Sequence, residues 1–241
     1  ETGIMSLGRV YDFGPVFRAE RSKTRKHLTE FWMMDAEAAF VEHAESMQIQ
    51  EDLIRYVIRD VLAKCDTELT ILERDKAALA ASDAPFKIIT HREAIDYLRS
   101  KGSEITHGSD LGAADEVLLT EGSPVPIFIE KWPKEIKAFY MKRDPDNPDF
   151  VLGSDLIAPD GFGEIIGGSQ REDDHDLLLE RMKAEKMPLE DYQWFLDLRK
   201  YGSVPHSGFG VGLERLVAWM SGTHHIRETI PFPRMIYRIY P

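Results

Sequence analysis

The stretch Val16-Phe17-Arg18-Ala19-Glu20, followed by a basic loop and by His27-Leu28-Thr29-Glu30-Phe31, decides the fold. Apolar and aromatic residues cluster or alternate over 8–17 and 30–34, which is typical of two antiparallel strands joined by a charged tip. Near the other end of the chain, Gly208-Phe209-Gly210-Val211-Gly212-Leu213-Glu214-Arg215 adds a second arginine beside three spaced glycines. Two arginines that face one triphosphate are the simplest interpretation of these two segments.

Composition indicates a folded, acidic protein. The chain has 241 residues, 43% of them apolar, which is enough for one large core. Its only cysteine, Cys65, excludes an intramolecular disulfide and a multi-thiolate zinc site, so the cytoplasm is the expected compartment. The net charge of -12 argues against indiscriminate nucleic-acid binding, so any such contact needs a local basic patch. The densest patch is the loop between the first two strands, with Arg18, Arg21, Lys23, Arg25 and Lys26.

Apolar spacing predicts the remaining elements of a single α+β unit, because no repeat or flexible linker interrupts the chain. Thr90 is expected to cap a helix over 91–100, with Glu93 completing a capping box. A buried stripe of Leu213, Leu216, Val217 and Met220 is expected on the helix that follows the glycines. The other expected helices cover 43–72, 173–186 and 189–200, and the other expected strands cover 86–89, 125–130, 138–142, 150–155 and the Ile165-Ile166 pair.

Common nucleotide and hydrolase motifs are absent from the sequence. Gly208-x-Gly210 is followed by Leu213, and Gly161-x-Gly163 by Ile166, where a dinucleotide fingerprint needs glycine. There is no GxxxxGK[ST] loop, HExxH pair or GxSxG elbow. A nucleotide site of another kind is therefore predicted.

The Arg18 and Arg215 segments closely resemble motifs 2 and 3 of the class II aminoacyl-tRNA synthetases. That family carries the two motifs on neighbouring strands of a mainly antiparallel sheet flanked by helices, so the resemblance implies this α+β fold. Residues 19–24, 27–33, 201–210 and 226–234 are similar to the asparaginyl branch of the family. The similar stretches span nearly the whole chain.

The resemblance implies an ATP site. Arg18 matches the arginine that contacts the α-phosphate, a position that suits a planar, permanently charged guanidinium. Arg215 matches the arginine that reaches the γ-phosphate. Glu20 matches the acid that accepts from the adenine amino group, and Phe31 matches the aromatic that stacks on adenine. The resemblance also assigns His27, Leu28, Glu164 and Gly212 to ATP binding.

The segment 155–171 is similar to the aspartyl and asparaginyl branch. Glu164 matches the acid that holds Mg²⁺, with Ser169 as a possible helper and Asp155 as a weaker candidate. Arg171 matches the arginine that holds the side-chain oxygen of the amino-acid substrate. Arg171 alone cannot separate asparagine from aspartate, because both offer an oxygen. Glu1 is the predicted acid that rejects aspartate from the pocket.

The implied reaction is ATP-dependent activation of asparagine to asparaginyl-adenylate and transfer to tRNA(Asn). An aspartyl-tRNA synthetase, and a synthetase-like paralogue that amidates aspartate, are the alternatives. The family also has an anticodon-binding OB-fold and motif 1 of its dimer interface, which this chain does not match. We therefore expect residues 1–241 to form a partial catalytic domain of a protein that is a homodimer at full length.

Overall fold

A computed structural model describes residues 1–19 and 24–240 of the chain. In this part of the chain the strands form one seven-stranded sheet. The strands are β1 Arg9–Phe17, β2 Glu30–Ala39, β3 Lys87–Thr90, β4 Ile127–Pro133, β5 Phe150–Ala158, β6 Gly163–Gln170 and β7 His206–Gly212.

Helices lie between and around these strands. The α-helices of the described residues are α1 Ile4–Leu7, α2 His43–Lys64, α3 Asp66–Ile71, α4 Lys76–Ala81, α5 His91–Ser100, α6 Ala113–Thr120, α7 His175–Ala184, α8 Gln193–Lys200 and α9 Leu213–Ser221. Two 3-10 turns cover Lys134–Ile136 and Ile226–Glu228. Within the same residues, no helix combines the length and the apolar character needed to cross a membrane.

The strand order is β1-β2-β7-β6-β5-β4-β3, and only the β3–β4 pair is parallel. The predicted α+β class with a mainly antiparallel sheet is confirmed. The prediction that the Arg18 hairpin and the glycine-rich segment occupy neighbouring strands is also confirmed, because β2 pairs directly with β7. Two segments separated by most of the chain therefore meet on adjacent strands of the sheet.

Alternation along β2 gives the sheet one core face and one open face. Met34 and Ala36 pack into the core, which also contains Ile54 and Ile58 of α2, both fully buried. Burial of an isoleucine side chain contributes roughly 1.5–3 kcal/mol, so α2 is strongly held against this face. The opposite face of β2 lines a cavity and carries the functional side chains described below.

Several predicted elements need correction. The helix expected over 43–72 ends at Lys64, and Cys65 (φ -113°, ψ 32°) separates it from α3. The apolar spacing does not reveal this break because Leu69 of α3 is buried as well. The strand expected over 138–142 is a loop, in which Met141 makes one isolated bridge to Arg171. The helix expected over 189–200 begins only at Gln193, and the strand at Ile165-Ile166 is longer, over 163–170.

The predicted buried stripe of α9 is only partly correct. Val217 is 36% exposed, whereas Trp219 is fully buried and Met220 is buried as expected. Glu214 is also buried, at 2% exposed, although it is charged. By contrast, the predicted cap of α5 is confirmed: Glu93 N donates to Thr90 Oγ1 over 3.2 Å, and Thr90 N donates to Glu93 Oε2 over 2.7 Å.

Candidate active site

A cavity of about 500 Å³ opens on the face of the sheet opposite the core. Its walls come from β2, β5, β6, β7, the first turn of α9 and the loops around residues 24–28 and 136–141. Nine of the residues singled out from the sequence line it. They are Arg18, His27, Leu28, Phe31, Asp155, Glu164, Arg171, Gly212 and Arg215.

The two arginines open into this same cavity. Arg18 follows the end of β1, where its N–H continues the hairpin ladder by donating to Thr29 O over 2.9 Å. Arg215 lies in the first turn of α9 and donates from one guanidinium nitrogen to Glu164 O over 2.8 Å. The antiparallel pairing of β2 with β7 brings them together, although 196 residues separate them in sequence.

Phe31 lies at one end of the cavity, with the Arg18 guanidinium carbon 5.1 Å from its ring centroid. Because neighbouring strand residues face opposite sides, the adjacent Trp32 is expected to face the core. It lies on the same face of β2 as Met34, but it is 37% exposed and packs against Phe13, 5.7 Å between ring centroids. Glu20, the predicted adenine acceptor, lies outside the described residues, as do Arg21 and Lys23.

Two carboxylates face each other across β5 and β6. Asp155 pairs in register with Gly167, and a Cβ at Gly167 would lie 3.3 Å from Glu164 Oε1 and 3.8 Å from Asp155 Oδ1. Lys137 Nζ donates to Asp155 Oδ2 over 2.5 Å and lies 3.8 Å from the centroid of the Trp132 ring. Burial raises the pKa of Asp155 to about 7 against the opposing effect of Lys137, and Glu164 adds to the rise.

Paired carboxylate oxygens of this kind fit Mg²⁺, which binds hard oxygen ligands and completes its coordination with water and phosphate. Asp155 and Glu164 are therefore equally good candidates for metal ligands. Ser169 is separated from them: it is 1% exposed, is not among the cavity-lining residues, and its hydroxyl accepts from Arg171 over 2.6 Å. The expectation that Ser169 helps to hold a metal is not supported by this position.

Arg171 forms a two-point ion pair that the sequence analysis missed. Its Nε donates to Glu37 Oε1 over 2.7 Å, and a terminal nitrogen donates to Glu37 Oε2 over 2.9 Å. The side chains are only 13% and 12% exposed. Strand alternation could have identified Glu37, since residues 31, 33, 35 and 37 of β2 share one face, and all four line the cavity.

Asp35 is another missed acid on this face. Burial and the neighbouring Asp12 raise the pKa of the Asp35 carboxyl, while Arg171 opposes the rise. Its register partner on β7 is Gly210, where a Cβ would lie 2.5 Å from Asp35 Oδ1. Gly208 is closer still to its neighbour, because a Cβ there would lie 1.6 Å from Glu37 Oε2. The absence of side chains at these two glycines leaves room for both acids.

Glu1 does not line the cavity, contrary to its predicted place in the pocket. Its carboxylate pairs with Arg199 over 2.5 Å and with His206 over 3.1 Å, and these buried partners hold it behind Glu37. Burial raises the pKa of Glu1, but His206 and Arg199 outweigh burial and keep it below its ordinary value. Ligand atoms of Glu1, Glu37 and His206 lie within 4.8 Å of one another, close enough to hold a metal ion. Arg171 pairs with Glu37 and Arg199 with Glu1, so the charges of both acids are already balanced.

Glu214 is a buried acid that holds the backbone of β2. Its carboxylate oxygens lie 3.0 and 3.1 Å from Trp32 N, and burial raises its pKa against the effect of that N–H. The position of Glu214 next to Arg215 at the start of a helix was the one sequence signal for a role in the site. Apolar spacing could not show that its carboxylate binds the backbone of β2.

The segment after α9 braces the loop that lines the cavity. Ile226 N donates to Arg25 O over 3.0 Å, and Thr29 N donates to Arg234 O over 2.9 Å. The Arg234 guanidinium also pairs with Glu30 at the start of β2. The loop is thus tied at both ends by residues 226–234, which the sequence marked only as similar to the family.

Known proteins share this fold and sequence. The family described as tRNA synthetases class II (D, K and N) matches residues 1–236. The asparagine–tRNA ligase of Pelotomaculum thermopropionicum is 54% identical over 241 residues, which are all of this chain and 56% of that protein. Asparaginyl-tRNA synthetase from Pyrococcus horikoshii complexed with asparaginyl-adenylate has a TM-score of 0.97 at 50% identity, over all of this chain and 55% of that one.

An aspartyl-tRNA synthetase from Entamoeba histolytica is more distant, with a TM-score of 0.90 at 30% identity, over all of this chain and 50% of that one. The chain thus spans about half the length of the relatives it matches. The match over 236 residues, together with the shared sheet, establishes that the chain belongs to the class II tRNA synthetases of the D, K and N group.

Proposed function

We propose that this chain is the catalytic region of an asparagine–tRNA ligase. It would activate asparagine with ATP to asparaginyl-adenylate and pyrophosphate, and transfer the asparaginyl group to tRNA(Asn). One observation carries the proposal: Arg18, Arg215 and Arg171 open into one cavity large enough for a nucleotide and an amino acid. The asparaginyl relatives, at 50–54% identity over the whole chain, support asparagine as the substrate.

In this proposal ATP lies between the two distant arginines. Phe31 stacks on adenine, while Arg18 binds the α-phosphate and Arg215 the γ-phosphate. His27, Leu28 and Gly212 line the same wall and limit where the nucleotide can lie. Glu20 remains the predicted acceptor for the adenine amino group.

Asp155 and Glu164 would hold a magnesium ion. When bound, such an ion would offset negative charge on the triphosphate oxygens. Lys137 forms an ion pair with Asp155, and its ammonium lies over the Trp132 ring, which fixes the position of that charge.

Asparagine would bind with its side-chain oxygen at Arg171. Glu37 holds the guanidinium by two bonds, so the group is oriented before the substrate arrives. Asp35, on the same face, offers an acceptor for the substrate ammonium. Glu1 acts on aspartate from behind this pair, through the negative charge it adds next to Glu37.

The reaction is in-line attack of the asparagine carboxylate on the α-phosphate, with pyrophosphate as the leaving group. The protein supplies orientation and charge. Arg18 faces the phosphate at which negative charge accumulates, and one well-placed donor of this kind is worth about 3 kcal/mol. Transfer to tRNA(Asn) follows, and we also propose a homodimer for the full-length protein and a cytoplasmic location.

Pyrophosphate exchange into ATP, with each amino acid offered singly, tests the proposal. We expect exchange with asparagine only. Exchange with aspartate alone would replace the proposal with an aspartyl-tRNA synthetase. Formation of asparagine from aspartate, ATP and ammonia would replace it with an amidating paralogue.

A further inference from the structure

Residues 229–240, here called the arginine–tyrosine segment, contact the end of the loop that lines the cavity. Arg234 fixes the segment there through its carbonyl, which accepts from Thr29 N, and through its ion pair with Glu30. Leu28, next to Thr29, lines the cavity. The segment therefore lies one loop away from the nucleotide site.

This segment exposes large apolar side chains at an unusual density. Tyr237 and Tyr240 are 80% and 78% exposed, and Phe232, Ile236 and Ile239 are exposed as well. Contiguous exposed apolar surface on a protein marks a binding surface more often than scattered residues do. Tyrosines presented in this way offer flat rings as well as apolar area.

The charge of the segment points to an anionic partner. It contains Arg234 and Arg238 and no acidic residue, in a chain whose net charge is -12. Arg227 and the acid Glu228 lie exposed just before it, and Arg25 of the adjacent loop is exposed too. A polyanion is repelled by most of this protein and attracted to this surface.

We propose that the arginine–tyrosine segment binds the unpaired 3′ nucleotides of the tRNA substrate. Exposed aromatic rings interleaved with arginines are the combination that binds single-stranded nucleic acid, since bases stack on the rings while guanidinium groups contact phosphate. The inference rests on the proposed transfer to tRNA, in which the terminal ribose reaches the cavity lined by the loop that this segment contacts. The arginine–tyrosine segment supplies the surface that positions the 3′ end of the tRNA.

The test compares two RNAs and two activities in the purified protein. The RNAs are a tRNA(Asn) transcript and the same transcript without its unpaired 3′ nucleotides. We expect Tyr237→Ala and Tyr240→Ala each to weaken binding of the intact transcript by about tenfold, with little effect on the shortened one. Pyrophosphate exchange should stay within about twofold of wild type, which also shows that the variants fold.

Matched variants separate stacking from structure. Tyr237→Phe and Tyr240→Phe keep the rings and should bind as wild type, and Tyr56→Ala, an exposed tyrosine of α2, should change nothing. Arg238→Gln should lower the salt dependence of binding by about one unit of slope, whereas the exposed Arg92→Gln should not.

Two results would overturn the inference. One is an equal loss of affinity for both RNAs; the other is unchanged RNA affinity with altered sedimentation, which would assign the segment to contact with a second copy of the chain. RNA binding is measured without catalysis, so absence of pyrophosphate exchange in the wild type would refute the proposed activation reaction and leave this test intact.

Discussion

Removal of the Glu214 carboxylate should weaken ATP binding through the backbone of β2. Strand β7 ends at Gly212, opposite Met33, so the N–H of Trp32 has no ladder partner on that side. Glu214 supplies the missing acceptor from the first turn of α9 and thereby fixes the strand next to Phe31.

The magnitude follows from the type of bond. A hydrogen bond to a charged acceptor contributes roughly 1.5–3 kcal/mol, and Glu214→Ala removes it from a site where the acid is 2% exposed. A loss of about 2 kcal/mol corresponds to about a 30-fold change in an equilibrium constant. We expect the KM for ATP in pyrophosphate exchange to rise by about that factor, because the Phe31 ring loses its fixed position.

The KM for asparagine should stay near wild type, since Glu37, which holds Arg171, lies farther along β2. Glu214→Gln retains one acceptor oxygen and should recover most of the loss, while Glu228→Ala removes an exposed acid and serves as the control. Equal KM values for ATP in the Ala and Gln variants, or a selective rise in the KM for asparagine, would refute the assigned role.

Four further changes test the rest of the site. Arg18→Ala should lower kcat for pyrophosphate exchange by at least about 100-fold; near-normal exchange would reject its role. Glu37→Ala leaves a buried guanidinium unpaired, so the free energy of unfolding in urea should fall by about 3–5 kcal/mol, and a change below about 1 kcal/mol would contradict the two-point ion pair. Glu164→Gln should raise the Mg²⁺ concentration needed for half-maximal exchange, and an unchanged titration would remove it from the metal site. Gly208→Ala should raise the KM for asparagine more than that for ATP, because the added methyl group displaces the Glu37 carboxylate; equal effects would locate the damage elsewhere.

The sequence predicted the parts of the fold that depend on local pattern. The β1–β2 hairpin and the capping box at Thr90 could be predicted, because alternation and capping act over a few residues. The break at Cys65 could not, since α2 and α3 bury the same side of the chain. Residues 138–142 have the composition of a strand. In the described part of the chain, however, their sheet-like pairing is limited to the isolated bridge between Met141 and Arg171.

The site was predicted where the family motifs name a residue, and missed where pairing depends on tertiary contact. Arg171 and its cavity could be inferred from the sequence. Strand alternation could place Glu37 on the cavity face, but its pairing with Arg171 required the register of β2 against β7. Glu1 was expected inside the pocket, and its attraction to Arg199 and His206, roughly two hundred residues away, placed it behind. Charge pairs across that separation leave no local pattern in a single sequence.

The alternate glycines of β7 limit how the cavity could be redesigned for a bulkier ligand. At Gly210 the cavity wall is bare backbone, with no side-chain atoms to remove, and a Cβ at Gly208 would meet the carboxylate of Glu37, which lines the cavity. Substitutions there can only shrink the space. Enlargement has to begin at lining side chains such as Met33 or Tyr140. The Arg171 guanidinium lies over the Tyr140 ring, 5.1 Å from its centroid, so a smaller residue at 140 would also change the surroundings of the proposed substrate-binding arginine.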